Sequence, residues 1–186
     1  MDFLTKPRST LAIAAIAVCV MLFAPDAPAS ASLEYEVKAA YLSKFGIFVD
    51  WPKTAFDGPE SPIVLCVAGD DPFGETLDKV VQGQHIGARG LVVRRLQAVT
   101  RDSGCDILYL GGSDPQFVNQ ALDAVNGTGV LTVTDSEHDA HAPGIVEFVI
   151  QDNRVRFNID DEAAQRNGLT ISSHLLSLAL SVRHRN

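Results

Sequence analysis

From residue 34 onward, apolar side chains recur at Val37, Tyr41, Phe45 and Phe48, with Leu42 and Val49 widening the stripe. Spacings of three and four put these positions on one helical face, so the pattern predicts a helix from Glu34 to Asp50. Gly46 weakens its last turn, and Trp51-Pro52 ends it. Residues 53–62 are rich in Gly, Pro and charge and read as a loop. Ile63 to Ala68 is an unbroken apolar run, as expected of a strand covered on both faces. Gly69-Asp70-Asp71-Pro72 then predicts a turn into a helix reaching Val81, with an Asp as N-cap and Pro near the first turn. Residues 83–90 read as loop, and Leu91 to Leu96 as a second strand.

The same grammar repeats. Asp106 to Leu110 is a third apolar strand. Gly111-Gly112-Ser113-Asp114-Pro115 opens a helix that Asn126-Gly127 closes near Val125, and Val130 to Thr134 is a fourth strand. Ile145 to Ile150 and Val155 to Ile159 flank Gln151-Asp152-Asn153-Arg154, a hairpin signal. In the second arm Arg154, Arg156 and Asn158 alternate with Val155, Phe157 and Ile159, so one face is wet. A short helix over 162–167, a Gly168 stop and a helix from Ser172 to about Arg183 complete the chain. Helices alternating with strands, then a hairpin, predict a three-layer α/β domain. Its sheet is mainly parallel with an antiparallel edge hairpin, and helices cover both faces.

The expected final helix is apolar nearly all round, with Ser173, Ser177 and Ser181 forming a ridge of small residues. Such a helix is buried in its own domain or shared with a partner or second copy. The aromatic stripe of Tyr41, Phe45, Phe48 and Trp51 allows the same two readings, core or partner surface.

The N-terminus changes the picture of where the domain works. Lys6 and Arg8 precede an apolar run of 13 residues, Leu11 to Phe23. That is short of the ~20 residues a bilayer span needs. Ala27-Pro28-Ala29-Ser30-Ala31 follows, so residues 1–31 read as a secretory signal peptide cleaved after Ala31, with Ala29 as the alternative. Lipidation at Cys19 is disfavoured by Val18 before it. Residues 32–186 then form one exported domain, with no later segment long enough to span a membrane.

Charge narrows the partners. Lys+Arg total 15 against 23 Asp+Glu, a net −8. Removing residues 1–31 takes two groups of each sign and leaves that balance unchanged. Nucleic acid demands a clustered basic face, and the only adjacent basic pair is Arg94-Arg95. Once Cys19 is cleaved away, Cys66 and Cys105 remain. In an exported protein they most simply form one disulfide, with two buried thiols as the alternative.

A catalytic centre does not emerge. Gly69 to Gly74 lacks the dinucleotide and P-loop spacings, and Asp70 and Asp71 would repel an anion there. Gly111-Gly112-Ser113 is not a nucleophile elbow. The segment Asp135-Ser-Glu-His-Asp-Ala-His141 has the residue types for Zn²⁺ or Cu²⁺, at His138 and His141, but reads better as a solvated acidic loop. The chain is expected to hold no metal or cofactor and to be no enzyme. A ligand crevice at the strand C-terminal ends, near Gly69, Gly111 and Asp135, is the alternative use of such a fold, with His174 and Arg183 as polar anchors.

Ordered blocks along the chain add a resemblance. Glu36-Val-Lys-Ala-Ala-Tyr-Leu-Ser-Lys-Phe45 leading to Phe48-Val-Asp-Trp-Pro52 resembles the opening of the YfiR family. Ile63-Val-Leu-Cys-Val-Ala-Gly69 with Asp71-Pro-Phe-Gly74, and Cys105-Asp-Ile-Leu-Tyr-Leu-Gly111, are similar to its next blocks. Arg156-Phe-Asn-Ile159, Gly168-Leu-Thr-Ile-Ser-Ser173 and Leu175-Leu-Ser-Leu-Ala179 resemble its end. The resemblance implies a dimeric periplasmic α/β regulator. It would bind the periplasmic sensor region of a membrane diguanylate cyclase, repress it and lower cyclic-di-GMP and biofilm formation. It also implies a Cys66–Cys105 disulfide. The positions of a second family disulfide are Ala140 and Glu147 here, so that bond is absent.

Overall fold

The computed structural model describes residues 29–112, 114–136 and 142–184. Residues 1–28 of the expected signal peptide and the His138/His141 loop lie outside the described residues, and Ala29 to Ala31, its expected last residues, begin α1. The elements in chain order are α1 (Ala29–Phe45), β1 (Val49–Asp50), β2 (Ile63–Gly69), α2 (Glu75–Val81), β3 (His85–Ile86), β4 (Arg89–Leu96), β5 (Ile107–Gly111) and α3 (Pro115–Ala124). They continue with β6 (Leu131–Asp135), β7 (Val146–Gln151), β8 (Arg154–Asp160), α4 (Asp161–Arg166), β9 (Thr170–Ile171), α5 (Ser173–Leu178) and β10 (Ser181–Arg183).

An eight-stranded sheet runs β10-β8-β7-β6-β5-β2-β4-β3, and β1 pairs with β9 in a separate two-stranded ladder. Five contiguous strands, β7-β6-β5-β2-β4, are parallel. The β7–β8 hairpin and the small β3–β4 hairpin are antiparallel. Successive strand residues point to opposite faces. Leu65, Val67, Ile107 and Tyr109 therefore enter one core with Ala39, Leu42 and Phe45 of α1 and Leu77 of α2. Cys66, Ala68, Leu108 and Leu110 enter a second core with Val118 and Ala121 of α3. Two cores across one sheet make the three layers, as the sequence pattern implies.

Five expectations need correction. The first helix ends at Phe45, not Asp50. Gly46–Phe48 tightens into a 3-10 turn, and Val49 leaves to pair with Ile171. A Cβ on Gly46 would lie 2.5 Å from Ile86 Cδ1, so a side chain at residue 46 would push that isoleucine aside. The α1 stripe is also shifted by one position. Lys38, Ala39, Leu42 and Phe45 face inward, and Val37 is exposed.

No Asp caps α2. Asp71 instead accepts the Phe73 and Gly74 N–H groups at 2.9 and 3.1 Å, an Asx turn that precedes the helix. Arg95 on β4 then donates to Asp71, to the Gly74 carbonyl and to Asp78, fastening the start of α2 to the sheet. The hydrogen bond from Arg95 holds the Asp78 carboxyl below its usual range. The stretch 83–90 is not all loop. His85 pairs with Gly90 and Ile86 with Arg89 around Gly87, whose φ of +61° favours glycine.

The largest correction concerns the chain's end. α5 stops at Leu178, and Ser181–Arg183 becomes β10, parallel to β8. From Leu180 to Arg183 apolar and polar residues alternate strictly, a strand period inside an apolar-rich segment. The Leu180 N–H donates to the Phe157 carbonyl at 2.8 Å and begins the new ladder. The serine ridge is thereby broken: the Ser181 hydroxyl donates to Asn158 Oδ1 at 2.8 Å.

Candidate functional site

Three concave surfaces among the described residues bear on function. The first lies at the C-terminal ends of β2, β5 and β6, where α/β sheets commonly take ligands. Gly69 and Gly111 end their strands side by side, with the Asp70 N–H donating to the Gly111 carbonyl at 3.2 Å. A Cβ on Gly69 would sit 2.1 Å from the Gly111 oxygen, and one on Gly111 would sit 2.1 Å from the Asp70 oxygen. Only two glycines permit that approach. The resulting cavity of about 110 Å³ is lined by Tyr35, Asp70, Tyr109, Gly111, Gly112 and Asp135, among others.

Beneath this crevice lies a buried ion cluster. Lys38 of α1 is fully buried and bonds both Glu34, one turn earlier, and Asp135 at the end of β6. Its ammonium also lies 4.8 Å from the Tyr35 ring centroid. Burial opposes the lysine's charge, but the hydrogen bonds and charges of Asp135 and Glu34 outweigh it and raise its pKa above 10.5. The cluster ties the N-terminal half of α1 to the sheet. Sequence reading missed it, although Lys38, Leu42 and Phe45 share one face, so a lysine stands inside an apolar stripe.

The second surface is a cleft of about 600 Å³ at the opposite end of the sheet. Phe56, Arg101, Cys105, Asp106 and Val130 are among its walls. Cys66, within β2, and Cys105, just before β5, form a disulfide with a Cα–Cα distance of 5.8 Å. Cys66 lies inside the α3-side core, whereas Cys105 reaches the cleft. Burial pushes the Asp106 carboxyl above its usual range, and the Val64 N–H, donating at 2.7 Å, works against that shift.

The third is a groove of about 440 Å³ between α1 and the β7–β8 hairpin. Its walls carry Leu33 (61% exposed), Val37 (36%) and Ile150 (42%), with Glu34 and Arg154 on the rim.

The residues singled out from sequence do not converge. Phe45 is core, 1% exposed, stacked on Phe148 and edge-on to Phe157. Half-buried Tyr41 joins the same cluster, 5.5 Å from Phe157. Phe48 packs on His174 at 5.5 Å, and Trp51 on Phe56 at 5.9 Å. Arg183, on β10, bonds Asp160 at 2.9 Å. Neither His174 nor Arg183 lines the crevice that they were expected to anchor. At the site of the missing second disulfide, Glu147 accepts from Asn158 Nδ2 at 3.2 Å, and Ala140 lies outside the described residues.

A family model described as YfiR/HmsC-like matches residues 35–180. The chain belongs to the YfiR/HmsC-like family. The YfiR/HmsC-like match begins at Tyr35, in the crevice wall, and ends at Leu180, on the threshold of β10. It includes both disulfide cysteines, Lys38 and Asp135 of the buried cluster, and the hairpin. The resemblance seen in the ordered sequence blocks is thereby borne out, and all three concave surfaces lie almost wholly within the YfiR/HmsC-like region. No described helix is long and apolar enough to cross a membrane.

Proposed function

We propose that this protein is exported to the periplasm through a cleaved signal peptide and acts there by binding. Its partner is the periplasmic sensor region of an inner-membrane diguanylate cyclase. By binding one conformation of that region more tightly than the other, it holds the cyclase inactive and lowers cyclic-di-GMP. A ligand can shift an equilibrium only by its differential affinity for the two states, so repression requires no chemistry from the regulator. In this reading the protein is not an enzyme, carries no cofactor and works as a homodimer.

Membership of the YfiR/HmsC-like family carries this reading. The groove supports it, because clustered exposed apolar residues with a polar rim mark protein interaction sites. Leu33, Val37 and Ile150 supply that surface, whereas Tyr41 and Phe45 support it from the core.

The test is capture of solubilised inner-membrane proteins on residues 32–186, oxidised and reduced, beside a Val37→Lys variant. Recovery of a cyclase with a periplasmic sensor domain, lost with Val37→Lys, is the expected result. Absence of any such cyclase in both redox states overturns the reading. Sedimentation of the free protein reads the dimer separately.

A further inference from the structure

The sequence contains two Asn-Gly pairs, Asn126-Gly127 after α3 and Asn167-Gly168 after α4. In such a pair the glycine nitrogen can attack the asparagine side-chain carbonyl, because a residue without a Cβ leaves the approach open. We propose that Asn126 is a site of spontaneous covalent modification in the folded protein, and that Asn167, in the same dipeptide, is not. In the first step the Gly127 nitrogen loses its proton and bonds to Cγ of Asn126, and the side-chain nitrogen leaves as ammonia. Water then opens the resulting cyclic imide at either carbonyl and leaves aspartate or isoaspartate at position 126. Water is the only co-reactant, and nothing is oxidised or reduced.

The two positions differ in what must break first. Asn126 is exposed, and its side-chain amide has no hydrogen bond among the described residues. Only its attacking group is held: the Gly127 N–H donates to Asn167 Oδ1 at 2.7 Å. The carbonyl of that same peptide group accepts from Arg101 at 3.2 Å, and a cation there favours loss of the amide proton. Asn167, by contrast, is 7% exposed. Its Oδ1 accepts from Gly127 and its Nδ2 donates to the Val130 carbonyl at 2.8 Å. Its attacking group is tied as well, since the Gly168 N–H donates to the Gln165 carbonyl at 2.8 Å. Attack at 126 therefore breaks one hydrogen bond, and attack at 167 breaks three. The bond they share makes Asn167 a restraint on its reactive neighbour. Arg101, Val125 and Thr128 line the cleft of about 600 Å³, so conversion adds a carboxylate at that wall, next to the Arg101 contact. Isoaspartate also inserts a main-chain carbon into the turn that the Thr128 N–H closes on the Val125 carbonyl.

The test is peptide mapping of the purified protein after incubation in mildly alkaline buffer, folded and in urea, reading aspartate plus isoaspartate at each asparagine. In the folded protein position 126 should convert roughly tenfold or more faster than 167, as two further hydrogen bonds imply. In urea both should convert at similar rates, with 126 faster than in the folded protein. Asn126→Gln, at an exposed position, should remove the acidic species seen on isoelectric focusing, and Arg101→Ala should slow its appearance. The proposal is overturned if position 126 stays intact in the folded protein while urea converts it, or if 167 keeps pace with 126. Urea that leaves 126 no faster refutes the restraint by Asn167, and an Arg101→Ala protein that matches wild type refutes the part assigned to Arg101. No partner protein enters the test, so its outcome is independent of the cyclase reading.

Discussion

Replacing Lys38 by Met keeps the aliphatic stem and removes the charge. Glu34 and Asp135 would then lose the cation that both of them bond. Lys38 is fully buried, and its partners' side chains are 20% and 7% exposed, so water offers Asp135 little relief. Breaking a buried ion pair by removing one member costs about 3–5 kcal/mol. For a domain of roughly 155 residues each kcal/mol moves the melting temperature about 2–4 °C, so the variant should melt about 6–20 °C lower. Adding Asp135→Asn should recover part of the loss, giving a coupling of about 1 kcal/mol or more in a double-mutant cycle. The pH dependence has a definite sign. A folded pKa raised above the unfolded value stabilises fully below that value and fades as pH climbs through the folded one. The gap between wild type and Lys38→Met should therefore be constant from pH 6 to 9 and shrink above about pH 10.5. Calorimetry across that range is the assay. A Lys38→Met protein that melts within about 2 °C of wild type refutes the idea that this cluster fastens α1.

Burial raises the Asp106 carboxyl, so its contribution is greatest in acid and is lost as pH rises through its folded pKa. Asp106→Asn, which can still accept the Val64 N–H, should melt higher than wild type at pH 7, and the difference should vanish near pH 3. Two glycines with positive φ separate strain from collision. Gly83→Ala, with nothing within 4 Å, should cost only the ~1–2 kcal/mol of a left-handed residue. Gly69→Ala, whose Cβ meets the Gly111 oxygen at 2.1 Å, should cost clearly more by denaturant titration. The Cys66–Cys105 bond closes a loop of sequence separation 39, so the Cys66→Ala, Cys105→Ala double variant should lose up to about 4 kcal/mol by the chain-entropy estimate. Equal denaturation midpoints for the two proteins would contradict that.

The parts of the fold legible in the sequence were those with one dominant period. β2 and β5 are covered on both faces and read as unbroken apolar runs, and Asp114-Pro115 announced α3, where Asp114 accepts the Gln116 N–H at 2.9 Å. The α1 boundary was hidden because Phe48 and Val49 extend a helical spacing that the backbone abandons at Gly46. β10 was hidden because Leu175 to Val182 satisfies two periods at once, and only the free edge of β8 decides between them. For the site, Gly69, Gly111 and Asp135 were legible as strand ends. Tyr35 and Lys38 were not, since their role depends on where α1 crosses the sheet. His174 and Arg183 suggested anchors by residue type alone, and the early end of α5 sends them elsewhere.

β10 has a consequence for the order in which the molecule can be finished. The sheet's outermost strand on that side is the last described strand along the chain, so β8 offers an open row of amides and carbonyls until residues 181–183 arrive. An open strand edge is a template for the wrong neighbour. A chain shortened to residue 180 would keep its two cores and its disulfide, yet expose that row permanently. Its failing would be stickiness between copies rather than unfolding. The three residues Ser181, Val182 and Arg183 thus act as a seam binding, small in energy and decisive for whether copies stick together along the edge of β8.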